Sequence, residues 1–183
     1  MAENTEDTEK TAEAYLKKSQ CLQKMGKYEE SKEPVQKVLA LFPDMVEAVV
    51  QLGNIYLKEK NYDEAIKTYN QAIQINPGYT AAFTNRGNAY SRNGEPEKAI
   101  ADYSEAIRLK PDNVMAFINR SRSYDKIGKY DRAEWDEGEA VRLQPDLEPA
   151  LNIINDPSSP SGLEDIRALS GAMNLEPNNH EYF

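Results

Sequence analysis

A single cysteine and a single histidine among 183 residues remove much of the chemistry that a chain of this length can carry. Cys21 has no partner for an internal disulfide, and no Cys-x-x-Cys or Cys/His cluster occurs. A zinc site is therefore excluded on ligand count, and a reducing compartment is expected. His180 lies in the last four residues, which leaves no histidine-based triad and no multi-histidine metal site. Neither a Walker-type glycine loop nor Gly-x-Gly-x-x-Gly is present, so no nucleotide cradle is expected. The sequence predicts no enzyme and no cofactor. No apolar run approaches the roughly 20 residues that span a bilayer. The opening MAENTEDTEKTAEAYLKK has neither the basic start nor the apolar centre of an export signal. Membrane insertion is not expected, and a cytoplasmic location is. What is in excess is acid: 31 Asp and Glu against 22 Lys and Arg give a net charge of −9. Such a chain repels a phosphate backbone unless its bases gather on one face, so nucleic acid is not an expected partner. An apolar content of 39% is too high for a disordered chain, and a buried core follows.

The prolines carry the organisation. Pro43, Pro77, Pro111 and Pro145 are spaced by 34 residues, and Pro177 follows after 32. FTNRGNAYSRNG at 83–94 returns at the same interval as FINRSRSYDKIG at 117–128. A fixed period of this length is the mark of a repeat architecture. It divides the chain into a polar lead at 1–11, units at 12–45, 46–79, 80–113 and 114–147, a degenerate fifth unit at 148–179, and a tail at 180–183. The tail, HEYF, either begins a sixth unit or docks on the chain's own surface.

Numbering each unit from 1 to 34 gives the columns physical meaning. Position 4 holds Tyr15, Val49, Phe83 and Phe117, and position 11 holds Leu22, Tyr56, Tyr90 and Tyr124, an apolar stripe at helical spacing. Position 8 is small (Ser19, Gly53, Gly87, Ser121), as is position 20 (Ser31, Ala65, Ala99, Ala133), which lets two helices cross closely. Between them Gly26, Gly94 and Gly128 suit the left-handed residue that ends a helix. Proline at position 32 closes the second helix, and the Asp or Asn near it suits the cap of the next. Each unit reads as a helical hairpin.

Aromatic 4, small 8, Tyr 11, Ala 20, aromatic 24 (Tyr69, Tyr103), Ala 27 (Ala72, Ala106, Ala140) and Pro 32 together resemble the tetratricopeptide repeat family over 12–147. The resemblance implies an all-α fold, a right-handed solenoid of antiparallel helical hairpins, whose first helices line a concave groove. Three departures carry expectations of their own. Pro34 at position 23 is expected to kink or delay the second helix of the first unit. Glu137 stands where Tyr69 and Tyr103 stand in their units, and Trp135 is expected to take over the lost packing. The drift of the fifth unit fits a capping role with one polar face. Cys21, at position 10, reads as a small core residue.

The resemblance also places positions 6, 9 and 13 on the groove: Lys17, Gln51, Asn85 and Asn119; Gln20, Asn54, Asn88 and Arg122; Lys24, Lys58, Arg92 and Lys126. A ladder of amides carries donors and acceptors and can match the N–H and C=O groups of an extended peptide. The alternative is that these amides bridge neighbouring helices. The basic column complements the end of the first helix's dipole and, if it also faces the groove, favours an acidic segment or a free C-terminal carboxylate. Co-chaperones of this family grip the C-terminal carboxylate of heat-shock chaperones with bases at positions 2, 5 and 6 around two asparagines. Asn54 and Asn85 match the asparagines here, but Val50, Met115 and Asn119 occupy the basic positions, so that ligand is not expected. The asparagine ladder of O-linked N-acetylglucosamine transferases is matched over too short a run. The reading is a non-catalytic adaptor for a protein or peptide partner. A regulatory or docking arm of a larger enzyme, suggested by HEYF, and a self-associating scaffold using the acidic ends and Trp135 are the alternatives. The Pro-rich loop around Ser159 reads as an exposed turn, with proline-directed phosphorylation as its second reading.

Overall fold

The structure, a computed structural model, describes residues 2–147, with side chains from Thr8 onward. The fifth unit at 148–179, Ser159, His180 and the tail at 180–183 lie outside the described residues. Among the described residues there are eight α-helices and no strand: α1 (Ala2–Lys24), α2 (Tyr28–Leu41), α3 (Val46–Lys58), α4 (Tyr62–Ile75), α5 (Thr80–Arg92), α6 (Pro96–Leu109), α7 (Val114–Lys126) and α8 (Tyr130–Leu143), followed by a 3-10 turn at Pro145–Leu147. Odd and even helices pair as hairpins, and each hairpin stacks on the next through α2–α3, α4–α5 and α6–α7. The odd helices also touch one another, α3 with α5 and α5 with α7. The layer whose helices come closest is the inside of the curve, so α1, α3, α5 and α7 form the concave wall of a right-handed solenoid. No described helix is long and apolar enough to cross a membrane.

Local chemistry sets the ends of these helices. Gly26, Gly94 and Gly128 terminate α1, α5 and α7 with φ of 75°, 82° and 71°. The second hairpin has no glycine there, and Lys60 is forced to φ 63°. In each turn the next residue's N–H returns to the carbonyl five residues back, as Asn61 does to Tyr56 at 2.9 Å. α1 begins at Ala2 and runs from the polar lead into the first unit, since nothing before Gly26 is a glycine or proline that would stop it. Pro34 neither delays nor ends α2, which starts at Tyr28, the counterpart of Tyr62 in α4, and runs on to Leu41. The proline ring is fully buried, and that packing offsets the hydrogen bond the helix loses.

The hairpins interlock through a small residue on one helix and a large one on the other. A Cβ on Gly53 would lie 2.5 Å from Tyr69 Cε1, and a Cβ on Gly87 would lie 2.6 Å from Tyr103 Cε1. Both rings are buried, Tyr69 completely. Where the large residue is absent the small one changes too. Ser19 stands opposite Val35 and donates to the Ser31 carbonyl at 2.8 Å, while Ser121 donates to Glu137 Oε1 at 3.2 Å. The Glu137 carboxylate, rather than Trp135, thus meets the fourth hairpin's crossing. Trp135 remains 58% exposed and only tilts against Phe117, with ring centroids 6.2 Å apart. Cys21 is exposed, unlike Ile55, Ala89 and Ser123 in the same column. That column packs against the preceding hairpin, and no described helix precedes α1.

Two arginines bind three helices each. Arg86 on α5 grips Asp102 on α6 through Nε and Nη2 at 2.7 and 2.6 Å, and its Nη1 donates to Asn70 on α4 at 2.6 Å. Arg120 on α7 repeats this with Asp136 on α8 at 2.8 and 2.7 Å and with Ser104 on α6 at 2.9 Å. Burial pushes the Asp102 carboxyl above the ordinary aspartate range, against the pull of Arg86. All three guanidinium nitrogens are used in each case, so these arginines hold the stack.

Two changes test this account. Gly87→Ala is expected to cost about 1–3 kcal/mol from overpacking. Combined with Tyr103→Val, it is expected to cost less than the sum of the two, measured by urea unfolding. Lys60→Gly removes the left-handed strain and is expected to add about 0.5–1 kcal/mol in the same assay.

Candidate functional site

The Gly–Tyr crossing brings each tyrosine's hydroxyl to the residue next to the glycine. Tyr69 donates to Asn54 Oδ1 at 2.7 Å, and Tyr103 donates to Asn88 Oδ1 at 2.8 Å. The same two oxygens accept a second bond from the following hairpin, Asn85 Nδ2 at 2.9 Å and Asn119 Nδ2 at 3.0 Å. Positions 24, 9 and the next unit's 6 therefore form one relay, made twice. Its packing is close: Asn85 is 3% exposed, whereas Asn54, Asn88 and Asn119 are half-buried.

The relay has a polarity that the sequence reading did not anticipate. A carbonyl oxygen has two lone-pair directions, and in Asn54 and Asn88 both are taken. Among the described residues neither Nδ2 has a partner and no buried side-chain nitrogen or oxygen lacks one, so these two amide groups donate to the solvent side. Asn85 has spent one of its two N–H donors on Asn54. The column at position 6 thus serves mainly to join hairpins, as its helix-bridging alternative had it, and Gln51 does the same, donating to the Leu16 carbonyl at 3.2 Å.

Bases surround the relay. Arg92, exposed in the last turn of α5, lies close enough to both hydroxyls to influence them. Burial pushes the Tyr69 and Tyr103 hydroxyls far above the ordinary tyrosine range, with the charge of Arg92 pulling each back in part and Arg122 also acting on Tyr103. Both hydroxyls therefore remain protonated donors. Arg122 on α7 is itself held below the ordinary arginine range by burial, with Glu137 and Tyr103 opposing that shift, and its Nη1 sits 3.5 Å from Asn119 Oδ1. Lys126 donates across to Ser91, 3.1 Å to the carbonyl and 3.0 Å to Oγ. Lys24 and Lys58 end α1 and α3 as exposed bases, and Lys17 and Gln20 are exposed on α1. The structure thus gathers Asn54, Asn85, Asn88, Arg92, Asn119 and Arg122 around the two tyrosines. It gives Lys17, Gln20, Lys24 and Lys58 no bond to that group.

Tyr69 and Tyr103 are the residues that sequence reasoning missed, having taken them as packing alone. A signal was there: Gly at 8, Asn at 9 and Tyr at 24 occur together in the second and third units. They are absent together from the first (Ser19, Gln20, Val35) and the fourth (Ser121, Arg122, Glu137).

Family models for the tetratricopeptide repeat match residues 12–45 and 80–113, and a model described as TPR repeat matches 53–94, in all more than half of the chain. The chain belongs to the tetratricopeptide repeat family. Among solved structures, a crystal structure of MamA is 25% identical with a TM-score of 0.67, covering 75% of this chain and 81% of MamA. MamA from Desulfovibrio magneticus RS-1 is 21% identical with a TM-score of 0.66, over 74% of this chain and 76% of its own. The second TPR domain of the human RPAP3 protein, solved in complex with an HSP70 peptide, is 28% identical with a TM-score of 0.59, over 63% of this chain and 97% of that domain. No curated protein sequence matches.

If the tetratricopeptide amides bridge hairpins, Asn85→Ala is expected to cost about 1–2 kcal/mol, because it strips one bond from a shared acceptor. Lys58→Ala, at an exposed helix end, is expected to stay within about 0.5 kcal/mol, both read by chemical unfolding.

Proposed function

We propose that this tetratricopeptide protein is a non-catalytic adaptor whose concave groove holds an extended, acidic segment of a partner protein. The fold is a protein-interaction scaffold; the acidity of the ligand rests on how the bases are distributed. On the second helices Lys32, Lys37, Lys67, Lys98, Arg108 and Arg142 each meet a carboxylate three or four residues away. On the first helices Lys17, Lys24, Lys58, Arg92 and Lys126 form no ion pair among the described residues. That is the observation that supports the reading: on an acidic chain, these five cations of the odd helices are left without a carboxylate partner among the described residues. Such cations attract carboxylates and speed their encounter. The half-buried Nδ2 groups of Asn54 and Asn88 add fixed donors for backbone carbonyls. Each such bond contributes roughly 0.5–1.5 kcal/mol, so several are needed for micromolar affinity. The RPAP3 domain, solved with an acidic HSP70 peptide, is a precedent for a ligand of this class on a similar fold.

The test is a displayed library of random dodecapeptides with free C termini, selected on the full chain and on Arg92→Ala with Lys126→Ala. Acidic peptides are expected to be enriched on the parent, to bind the variant about tenfold more weakly, and to weaken as salt rises. Enriched peptides that bind parent and variant alike would remove the groove as the site.

A further inference from the structure

We infer that the buried hydroxyls of Tyr69 and Tyr103 are specificity-determining residues, which set the groove to read hydrogen-bond acceptors and to reject donors. The inference rests on the groove being the binding site, and it concerns residues no ligand touches. A free asparagine side chain can turn its amide by half a rotation and present either oxygen or nitrogen. An unconstrained ladder would therefore accept peptide N–H groups and basic side chains as readily as carbonyls and carboxylates. Here that freedom is removed from behind. The tyrosine rings are fixed by the glycines beneath them, Gly53 and Gly87. Their hydroxyls meet Asn54 Oδ1 and Asn88 Oδ1 at 2.7 and 2.8 Å, and the next hairpin's Asn85 and Asn119 reach the same oxygens. Turning either amide would point an N–H at the next hairpin's Nδ2 and leave the buried tyrosine hydroxyl without the carbonyl acceptor it now has. Each Nδ2 is thus held on the solvent side, in a region where the cations of Arg92 and Arg122 act, and the acceptor that the relay leaves at Asn119 Oδ1 is faced by Arg122 Nη1 at 3.5 Å. The ligand groups that satisfy the two Nδ2 groups are carbonyl oxygens and carboxylates. A lysine or arginine side chain meets like charge and the N–H groups of Asn54 and Asn88.

Tyr69→Phe with Tyr103→Phe keeps the rings and deletes only the hydroxyls. Asn54→Asp with Asn88→Asp is the sharper change, because an aspartate keeps the acceptor that the tyrosine and the next asparagine require and puts an oxygen in place of Nδ2. Both double variants and the parent are put through selection with the same dodecapeptide library, with circular dichroism to establish the fold. The readout is the ratio of acidic to basic residues among enriched peptides. For the phenylalanine pair this ratio is expected to fall about three- to tenfold, the equivalent of one or two hydrogen bonds. For the aspartate pair it is expected to invert. An unchanged ratio in both folded variants, with acidic peptides still selected by the parent and lost with Arg92→Ala and Lys126→Ala, would overturn the role of the tyrosines and leave the groove reading intact. If the parent selects no peptide that depends on Arg92 and Lys126, the groove reading itself falls, and this inference with it. Should the phenylalanine pair lose its helical signal, the aspartate pair alone decides.

Discussion

The close approach of two helices at a glycine is the constraint on which the rest of this molecule depends. At Gly53 and Gly87 there is no room for even one added carbon, and the space is filled by a tyrosine ring from the second helix of the same hairpin. A phenylalanine would pack as well. The difference a tyrosine makes is that its oxygen emerges on the far side of the crossing, at the inner wall, where it must find a partner because the ring around it is dry. Asn54 and Asn88 supply that partner and pass the order on to the next hairpin. Packing inside one repeat, the register between repeats and the orientation of two amides are thus consequences of a single contact.

The stacking of hairpins was legible in the sequence to the level of individual columns, because a period of 34 repeats the same packing problem and the same residues return to solve it. What was not legible is how a column behaves where its neighbours differ. Cys21 shares its column with Ile55 and Ala89 but has no described helix to pack against, so it is exposed. Pro34 shares a column with Asp102 and Asp136, and reading it by helix propensity alone missed that this column is buried, where a compact ring is tolerated. Trp135 was weighed by its size, whereas the crossing it was expected to fill is met by a serine hydroxyl and the Glu137 carboxylate. In each case the tertiary environment overrode local preference. The groove was legible as a face but not as a set of bonds. Which of two amide atoms points outward is decided by a hydroxyl 15 residues away in sequence, and no single column records that.

Arginine shows the same limit from the other side. The repeated Asn-Arg pair at 85–86 and 119–120 drew attention to asparagine, while Arg86 and Arg120 turned out to be committed to Asp102, Asp136 and the preceding hairpins. Their columns also change in concert, Lys18 with Pro34 and Leu52 with Thr68 in the first two units. A buried ion pair seldom adds much net stability, since desolvation consumes most of the attraction. Its value here is geometric: a bidentate fork with a third bond fixes where one hairpin sits on the next.

The two kinds of polar contact divide the charges of an acidic protein into closed and open sets. The arginine straps and the short-range pairs of the second helices leave little uncompensated cation on the outer layer. The first helices end in Lys24, Lys58, Arg92 and Lys126, where each base complements a helix dipole without being neutralised by a carboxylate. A dipole satisfies a cation weakly and from one side only. The acids are unevenly divided as well: 13 lie on the second helices and 7 on the first, so the first helices are the less acidic layer. Composition alone made nucleic acid an unexpected partner, but a sum over the chain cannot record that the two helix layers differ in how their cations are compensated.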